Sequence, residues 1–472
     1  METSNGRLFR AIMISEDVLS ETLKKALLKG GDYADVFIED TEPLSIQLED
    51  DKVEKFYSGV DAGVGIRVIS GDKSAYAYTN DFSSDSLFSL AESVSGVFKK
   101  GEGDISLNFS RVRPSTEFVI KKDPRDVDIK KKLLLVENAN RAARKVSSKI
   151  KQVSVIYRDV IQNICVATSE GSITEDDRIY TLAIINVIAA DGDILQTGYE
   201  PVGGFTGFEL FEDDLFEELA VKAARKAVGM LYADKATGGR MPVIISADAG
   251  GTMIHEAIGH GLEADLVQQG LSVYADSRGK QVASPLVSII DDSTLQNRRG
   301  SFRFDDEGVA SQRTILVENG ILTGYLYDRL SAMKDGVMST GNGRRESYKH
   351  RPIPRMSNTF IAPGDGDPEE ILRSVEKGFF VKKMGGGQVN TLTGEFVFEV
   401  SEGCIIEKGQ IGDPVRGATL VGNGAEVLKS IDMVGNDLGF SIGTCGKDSQ
   451  GVPVSDAMPT VRIPEMVVGG DV

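Results

Sequence analysis

His255 and His260 are two of only three histidines in a chain of 472 residues, and the interval between them limits how that stretch can fold. They stand in GGTMIHEAIGHGLEAD, Gly250 to Asp265, with Glu256 beside the first. Imidazole is the commonest protein ligand of zinc, and a neighbouring glutamate can deprotonate water at such a metal. Histidines four apart on a helix lie roughly 40° apart around its axis and reach one ion; five apart they diverge by about 140°. Shared ligation therefore predicts a helix starting near Asp248 and distorted around Gly259 by a π-type turn or an early end. Gly259 and Gly261 would permit this at little steric cost. A straight helix through Gly261 would speak against a shared ion.

Two imidazoles fall short of the three protein ligands usual at a catalytic zinc. His350, Cys404, Cys445 and Glu263 carry suitable atoms, and spacing alone leaves the choice between His350 and Cys445 open. Cys445, in GTCGKDSQG, reads as part of a glycine-framed loop, and Cys404 as a small core residue. Arg344 and Arg345 could clamp a substrate carboxylate, but structural ion pairing is the simpler reading. Asp305, Asp306 and Glu307 read as a solvated acidic turn, since the spacing of a calcium loop is missing. The run GGGQV followed by EFVFEV would let an extended peptide approach the backbone at Gly386 and Gly387 and pair as an added strand.

The length exceeds one ordinary core and implies two or three domains. Hydrophobic residues at 41% and charged residues at 26% are those of a soluble globular protein. A net charge of −18 argues against holding nucleic acid through a broad basic surface and against an acidic membrane surface. Cys165, Cys404 and Cys445 are too few and scattered for a disulfide framework, which fits a reducing cytoplasm. The N-terminal apolar patch is broken by Ser15, Glu16 and Asp17 and makes no signal peptide, and no apolar run of spanning length follows.

Periodicity predicts an α+β chain in three parts. Residues 1–115 form an α+β subdomain: a helix from Ser15 to Leu28, strands at Asp35 to Glu39 and Leu44 to Leu48, a hairpin of Gly63 to Ile69 with Ser74 to Thr79, and a helix from Asp81 to Phe98. Residues 116–236 form a second, with helices at Val127 to Val146 and Asp213 to Met230 around strands at Gln152 to Tyr157, Ile161 to Thr168 and Ile179 to Ala190. The lysines and arginines of the first of these helices read as a solvated face. Residues 237–472 form a β-rich C-terminal domain carrying the histidine helix near its start. Asn319-Gly320 marks a hairpin there, and Glu402-Gly403 a turn between Glu395 to Val400 and Cys404 to Glu407.

The segment MIHEAIGHGLEAD, with GNGRRESY (Gly341 to Tyr348), RMSNTF (Arg355 to Phe360), GGGQV (Gly385 to Val389), RGATL (Arg416 to Leu420), MVGNDL (Met433 to Leu438) and TCGKDSQGVPV (Thr444 to Val454), resembles the TldD branch of the TldD/PmbA family of metallopeptidases. The likeness is dense after residue 240 and looser before, where GVGIRVISGDKSAYAY (Gly63 to Tyr78) is its clearest part. The chain has the His-Glu-x-x-x-His segment that the partner branch, TldE or PmbA, lacks. The resemblance implies zinc (Zn2+) held by His255, His260 and Cys445, with Glu256 as general base. It further implies cleavage of small or unfolded polypeptides within a cavity formed by a dimer, either a homodimer or a heterodimer with a TldE/PmbA-like subunit. The family is also described as modulating DNA gyrase, which the acidic charge makes a poor description of direct DNA binding. Two rival readings remain: a thiol peptidase with Cys445 as nucleophile, and a non-catalytic peptide-binding or regulatory protein with a structural zinc.

Overall fold

The computed structural model describes residues 14–98 and 107–470. The patch before Ser15 on which the signal-peptide reading rests lies largely outside them. The fold is α+β, β-rich in its C-terminal half, with the histidine-bearing helical segment near the start of that half.

Two long strands organise the N-terminal half. Ile150–Thr168 and Ser172–Asp191 pair antiparallel, and Tyr33–Glu49 lies along the other edge of the first over fifteen residue pairs, from Asp35 against Thr168 to Glu49 against Ser154. The short runs legible in the sequence are therefore pieces of longer strands. Pro43 interrupts the apolar pattern but not the strand. It falls where the strand's other edge passes from Asp61–Ser70 to Lys52–Ser58, a gap in which its missing N–H is not needed. The resulting eight-stranded sheet draws strands from residues both before and after position 116.

Helices cover this sheet with the spacing their sequences dictate. Glu16–Leu27, capped by Ser15, buries Leu19, Leu23, Ala26 and Leu27, and joins Ser84–Ser95 over Val36, Val64 and Val68. Ile129–Arg144 buries Val136, Ala139 and Ala143 beside Leu215–Met230, over Val153 and Val155. Its cations are not all solvated: Lys132 is buried and meets Asp159 at 2.6 Å.

In the C-terminal half, Lys377–Val389, Gly239–Ile245, Val461–Gly469, Thr419–Asn423 and Glu395–Glu407 pair in that order, and the last returns to the first, closing a ring of five strands. A six-stranded sheet packs beside it, ending in Asn358–Ile361, Gln450–Met458 and Gly439–Lys447. Glu402-Gly403 is not a turn. Glu395–Glu407 runs through it as one strand, and the chain reverses at Lys408 and Gly409, whose φ angles of +51° and +71° suit a tight hairpin. The hairpin expected at Asn319-Gly320 forms, between Arg313–Glu318 and Ile321–Leu322.

The acidic run Asp305 to Glu307 is buried rather than solvated, because each carboxylate finds a strong partner. Asp305 accepts from the N–H groups of Glu307, Val309 and Gly343, Asp306 meets Arg178 at 2.8 Å, and Glu307 meets Arg67 at 2.7 Å. Arg67 also donates from Nε to Asp35 at 2.8 Å, so it bridges a carboxylate of its own sheet to one from the C-terminal half. Arg67→Met leaves buried Glu307 without its ion pair and Asp35 with only Arg345, 3.7 Å away, and should destabilise the protein by about 3–5 kcal/mol, read by chemical denaturation.

Candidate metal centre

The helical segment around the histidines is broken as their spacing requires. It begins at Thr252–Ile254 rather than near Asp248: residues 247–249 form a separate short turn, and Gly250, at φ +74°, redirects the chain where a Cβ would come within 2.4 Å of the Ser441 hydroxyl. His255–Gly259 then forms a π-helical turn in which the His260 N–H donates to the His255 carbonyl, five residues back. His260–Leu262 tightens into a 3-10 turn before Ala264–Gln268.

This irregular backbone is held by side chains from outside it. The Tyr274 hydroxyl donates to the Ala257 carbonyl at 3.0 Å, and the Ser272 hydroxyl to that of Gly261 at 2.5 Å. Gly259 has ordinary right-handed torsions, so its missing side chain does not serve backbone freedom. It serves contact, since a Cβ there would stand 2.2 Å from the Met356 sulfur.

The wide turn sets the two imidazoles edge to face, with ring centroids 4.9 Å apart. Cys445 reaches them from Gly439–Lys447. The residues read as a loop are a strand, closed into a hairpin with Gln450–Met458 by Asp448 and Ser449, both left-handed. The Cys445 sulfur lies 3.5 Å from Nε2 of His260, and one ligand atom from each of His255, His260 and Cys445 lies within 4.8 Å of the others. These three are the only such His/Cys/Asp/Glu group among the described residues. His350 stands elsewhere, against Ser347 at 3.1 Å, and Cys404 lies on the five-stranded ring.

Glu263, a candidate ligand by composition, instead orients one. Its Oε2 is 3.0 Å from Nδ1 of His260 and 3.0 Å from the Lys447 ammonium, which also meets Asp265 at 2.7 Å. Cys445 and Lys447 share one face of their strand, so sulfur and ammonium arrive together, one at each end of the His260–Glu263 pair. Burial opposes the charge on Glu263, but Lys447 and His260 hold its pKa down at about 2. An ionised carboxylate at Nδ1 favours the proton there and leaves Nε2 to face the sulfur. Asp456 plays the weaker counterpart beside His255, 3.7 Å from Nδ1, and is itself held by the Ser441 hydroxyl. Arg355, fully buried, donates to the Cys445 carbonyl. Sequence reasoning overlooked Lys447, Asp456 and Arg355; no local pattern points to them, because each gains its role by contact with a segment far away in the chain. Arg344 and Arg345 are structural: Arg344 donates to the carbonyls of Met356 and Pro453, Arg345 to that of Asp306.

Burial would raise the Cys445 thiol, but hydrogen bonds with His255 and His260 bring its pKa down to about 5. Among the described residues the buried Nδ1 of His255 has no hydrogen-bond partner, Asp456 standing beyond that reach at 3.7 Å. Two imidazoles and a thiolate whose ligand atoms lie within 4.8 Å of one another suit a borderline-soft divalent metal ion. The three line a cavity of about 430 Å³, and half-buried Glu256 is in its wall with Thr252, Val389 and Thr391. Burial raises the pKa of Glu256.

Gly386 and Gly387 lie in Lys377–Val389, beside this cavity. Phe379, Phe380 and Val381 of that strand pair with residues 243–245 on one side, but beyond Val381 that side has no strand partner among the described residues, its one backbone contact being the Ser246 hydroxyl, which donates to the Lys382 carbonyl at 3.5 Å. Gly386 opens on free space, whereas a Cβ at Gly387 would meet the Phe398 ring at 1.8 Å. Gly387 is therefore a packing glycine.

Comparison with known proteins covers nearly the whole chain. The PmbA/TldA metallopeptidase C-terminal domain matches residues 238–470, the central domain residues 122–231 and domain 1 residues 34–96. A metalloprotease TldD homolog of Haemophilus influenzae is 38% identical over 93% of this chain and 93% of its own. Among solved structures, a Thermotoga maritima protein described as a candidate modulator of a DNA gyrase superposes with a TM-score of 0.77 at 24% identity, over 93% of this chain and 96% of that one. TldE of Thermococcus kodakarensis does so with a TM-score of 0.76 at 16% identity, over 96% and 99%.

In chelator-treated protein, alkylation of Cys445 should follow a thiolate titrating near pH 5, its rate flat above about pH 6. Cys165, which burial pushes up to about 12, should stay unreactive throughout, as peptide mapping of the labelled protein would show.

Proposed function

The chain belongs to the PmbA/TldD family of metallopeptidases, and on that premise we propose that it is a zinc-dependent peptidase acting on small or unfolded polypeptides. The observation that carries the proposal is the meeting of His255, His260 and Cys445 within 4.8 Å, at a cavity that Glu256 also lines. His255, His260 and Cys445 are the proposed zinc ligands. Zinc bound there would supply Lewis acidity toward a peptide carbonyl and toward water.

Glu256 is the proposed general base. Its carboxylate takes a proton from the attacking water and returns it to the departing amine nitrogen, and its burial-raised pKa helps it keep the proton between these steps. Glu263 and Lys447 hold His260 in one tautomer, and Asp456 stands beside His255 at 3.7 Å. The thiolate of Cys445 would donate more charge to a bound metal than an imidazole and would partly offset its acidity. An extended substrate pairs with the free edge of Lys382–Val389, beside Gly386, and enters the cavity near Val389.

The close approach of Cys445 to His260 also favours a second reading, a thiolate–imidazolium nucleophile. Chelation separates the two, since a thiol peptidase keeps its activity when metal is stripped. A non-catalytic protein with a structural zinc is separated by Glu256→Gln, because only a catalytic site would lose peptide cleavage while keeping its zinc. The likeness to TldE supports a dimer with a TldE-like subunit, a homodimer being the alternative. No described helix is long and apolar enough to cross a membrane, and the three unpaired cysteines are in keeping with a cytoplasmic site.

Glu256→Gln should retain zinc and lose about 10²–10⁴-fold in peptide turnover, while Cys445→Ser should lose both metal and turnover; metal analysis and cleavage on the same samples check this. Gly386→Val, whose Cβ would have nothing within 4 Å, should lower peptide turnover with little change in zinc content or melting temperature.

A further inference from the structure

A second cavity, of about 700 Å³, adjoins the first, and Thr252 and Ile442 belong to the walls of both. Its charge runs against that of the chain, whose net charge is −18. Lys222, Lys226, Lys382, Lys383 and Arg298 line it, against two carboxylates, Asp248 and Glu402. The four lysines are already engaged: Lys222 and Lys383 meet Glu200 at 3.3 and 2.7 Å, and Lys226 and Lys382 meet Glu402 at 3.1 and 3.3 Å.

Arg298 differs. Among the described residues its guanidinium has neither an ion pair nor a side-chain hydrogen bond, and its partner is the Phe440 ring, whose centroid lies 3.6 Å from Cζ. Burial alone lowers its pKa, with no carboxylate opposing it. In a chain with 71 acidic and 53 basic residues, a half-buried guanidinium with no carboxylate beside it is an open seat for one. Stacking on Phe440 fixes the plane of its donors before anything arrives. The loop beneath is also fixed: Asn297 is left-handed at φ +60°, and its carbonyl sits where a Cβ on Gly204 would be only 2.2 Å away.

The free edge of Lys382–Val389 runs between the cavities. Val389 lines the first, while Lys382 to Gly386 line the second. Fully extended, that edge would span at most roughly 25 Å, and its register shifts at Lys383 and between Met384 and Gly387 shorten it, so about seven residues is the upper bound for a paired peptide. We infer that Arg298 receives the C-terminal carboxylate of the bound peptide, so that the preferred substrates are short peptides with a free C-terminus lying within about seven residues of the cleaved bond. This rests on the peptidase reading and narrows its substrate class.

The test separates the two. Binding is measured on the full-length Glu256→Gln protein, where cleavage is not needed, with one N-terminally labelled peptide made both as the free acid and as the C-terminal amide. The free acid should bind about tenfold or more tightly than the amide. Arg298→Gln in the same background should erase the difference by weakening the acid alone, and Arg298→Lys should restore part of it. Equal affinities for acid and amide, a preference that survives Arg298→Gln, or no binding of either peptide would overturn the inference. Both peptides are also offered to the zinc-loaded native protein. A preference for the acid without any cleavage would sink the peptidase reading alone, and cleavage without the preference would sink the carboxylate site alone.

Discussion

A single backbone hydrogen bond, from the N–H of His260 to the carbonyl of His255, sets the geometry on which the rest of the site depends. Spanning five residues instead of four, it adds one residue to the turn and brings both imidazoles to one side. Such a turn has little stability of its own, because it leaves carbonyls without their usual helical donors. Tyr274 and Ser272 supply those donors, and Met356 packs where any side chain on Gly259 would intrude. The buried apolar residues of the same segment, Met253, Ile254, Ala257, Ile258 and Leu262, join the main core of the C-terminal half. The distortion is thus maintained by the ring of strands and the sheet around it.

The charges at the site obey the rule that a buried ion must be paired. Glu263 is fully buried and ionised because Lys447 and His260 face it from two elements. Placing Lys447 two residues beyond Cys445 on one strand means that the contact which pairs this carboxylate also delivers the sulfur to His260. The same logic joins the two halves of the molecule, where Arg67 and Arg178 meet Glu307 and Asp306.

The sequence was informative where local chemistry decides structure, and silent where a distant partner does. The wide turn was legible because two histidines five apart, next to glycines, satisfy one ion only if the helix is irregular. Helices such as Glu16–Leu27 and Ile129–Arg144 were legible from their apolar spacing. The reason for Gly259 was not, since it lies in Met356, about a hundred residues away. Cys445 could not be separated from His350 by spacing; the resemblance singled it out, and only the hairpin shows how it reaches His260. The acidic run at Asp305 looked solvated because its arginines, Arg67 and Arg178, come from another part of the chain. Strand lengths were underestimated for a related reason: pairing carries a strand through residues such as Pro43 and Gly403, which read locally as breaks.

The incomplete pairing of Lys377–Val389 bears on how the protein avoids itself. Any sheet with an unsatisfied row of amides invites another copy to dock there, and chains concentrated in a cell pay for that in precipitation. Here the pairing register slips between Met384 and Gly387, so that the exposed amides are not evenly spaced. A rigid neighbouring sheet needs regular spacing to add on, while a loose single segment can bend to match. Self-association is thereby discouraged at the same place where a pliable guest is admitted.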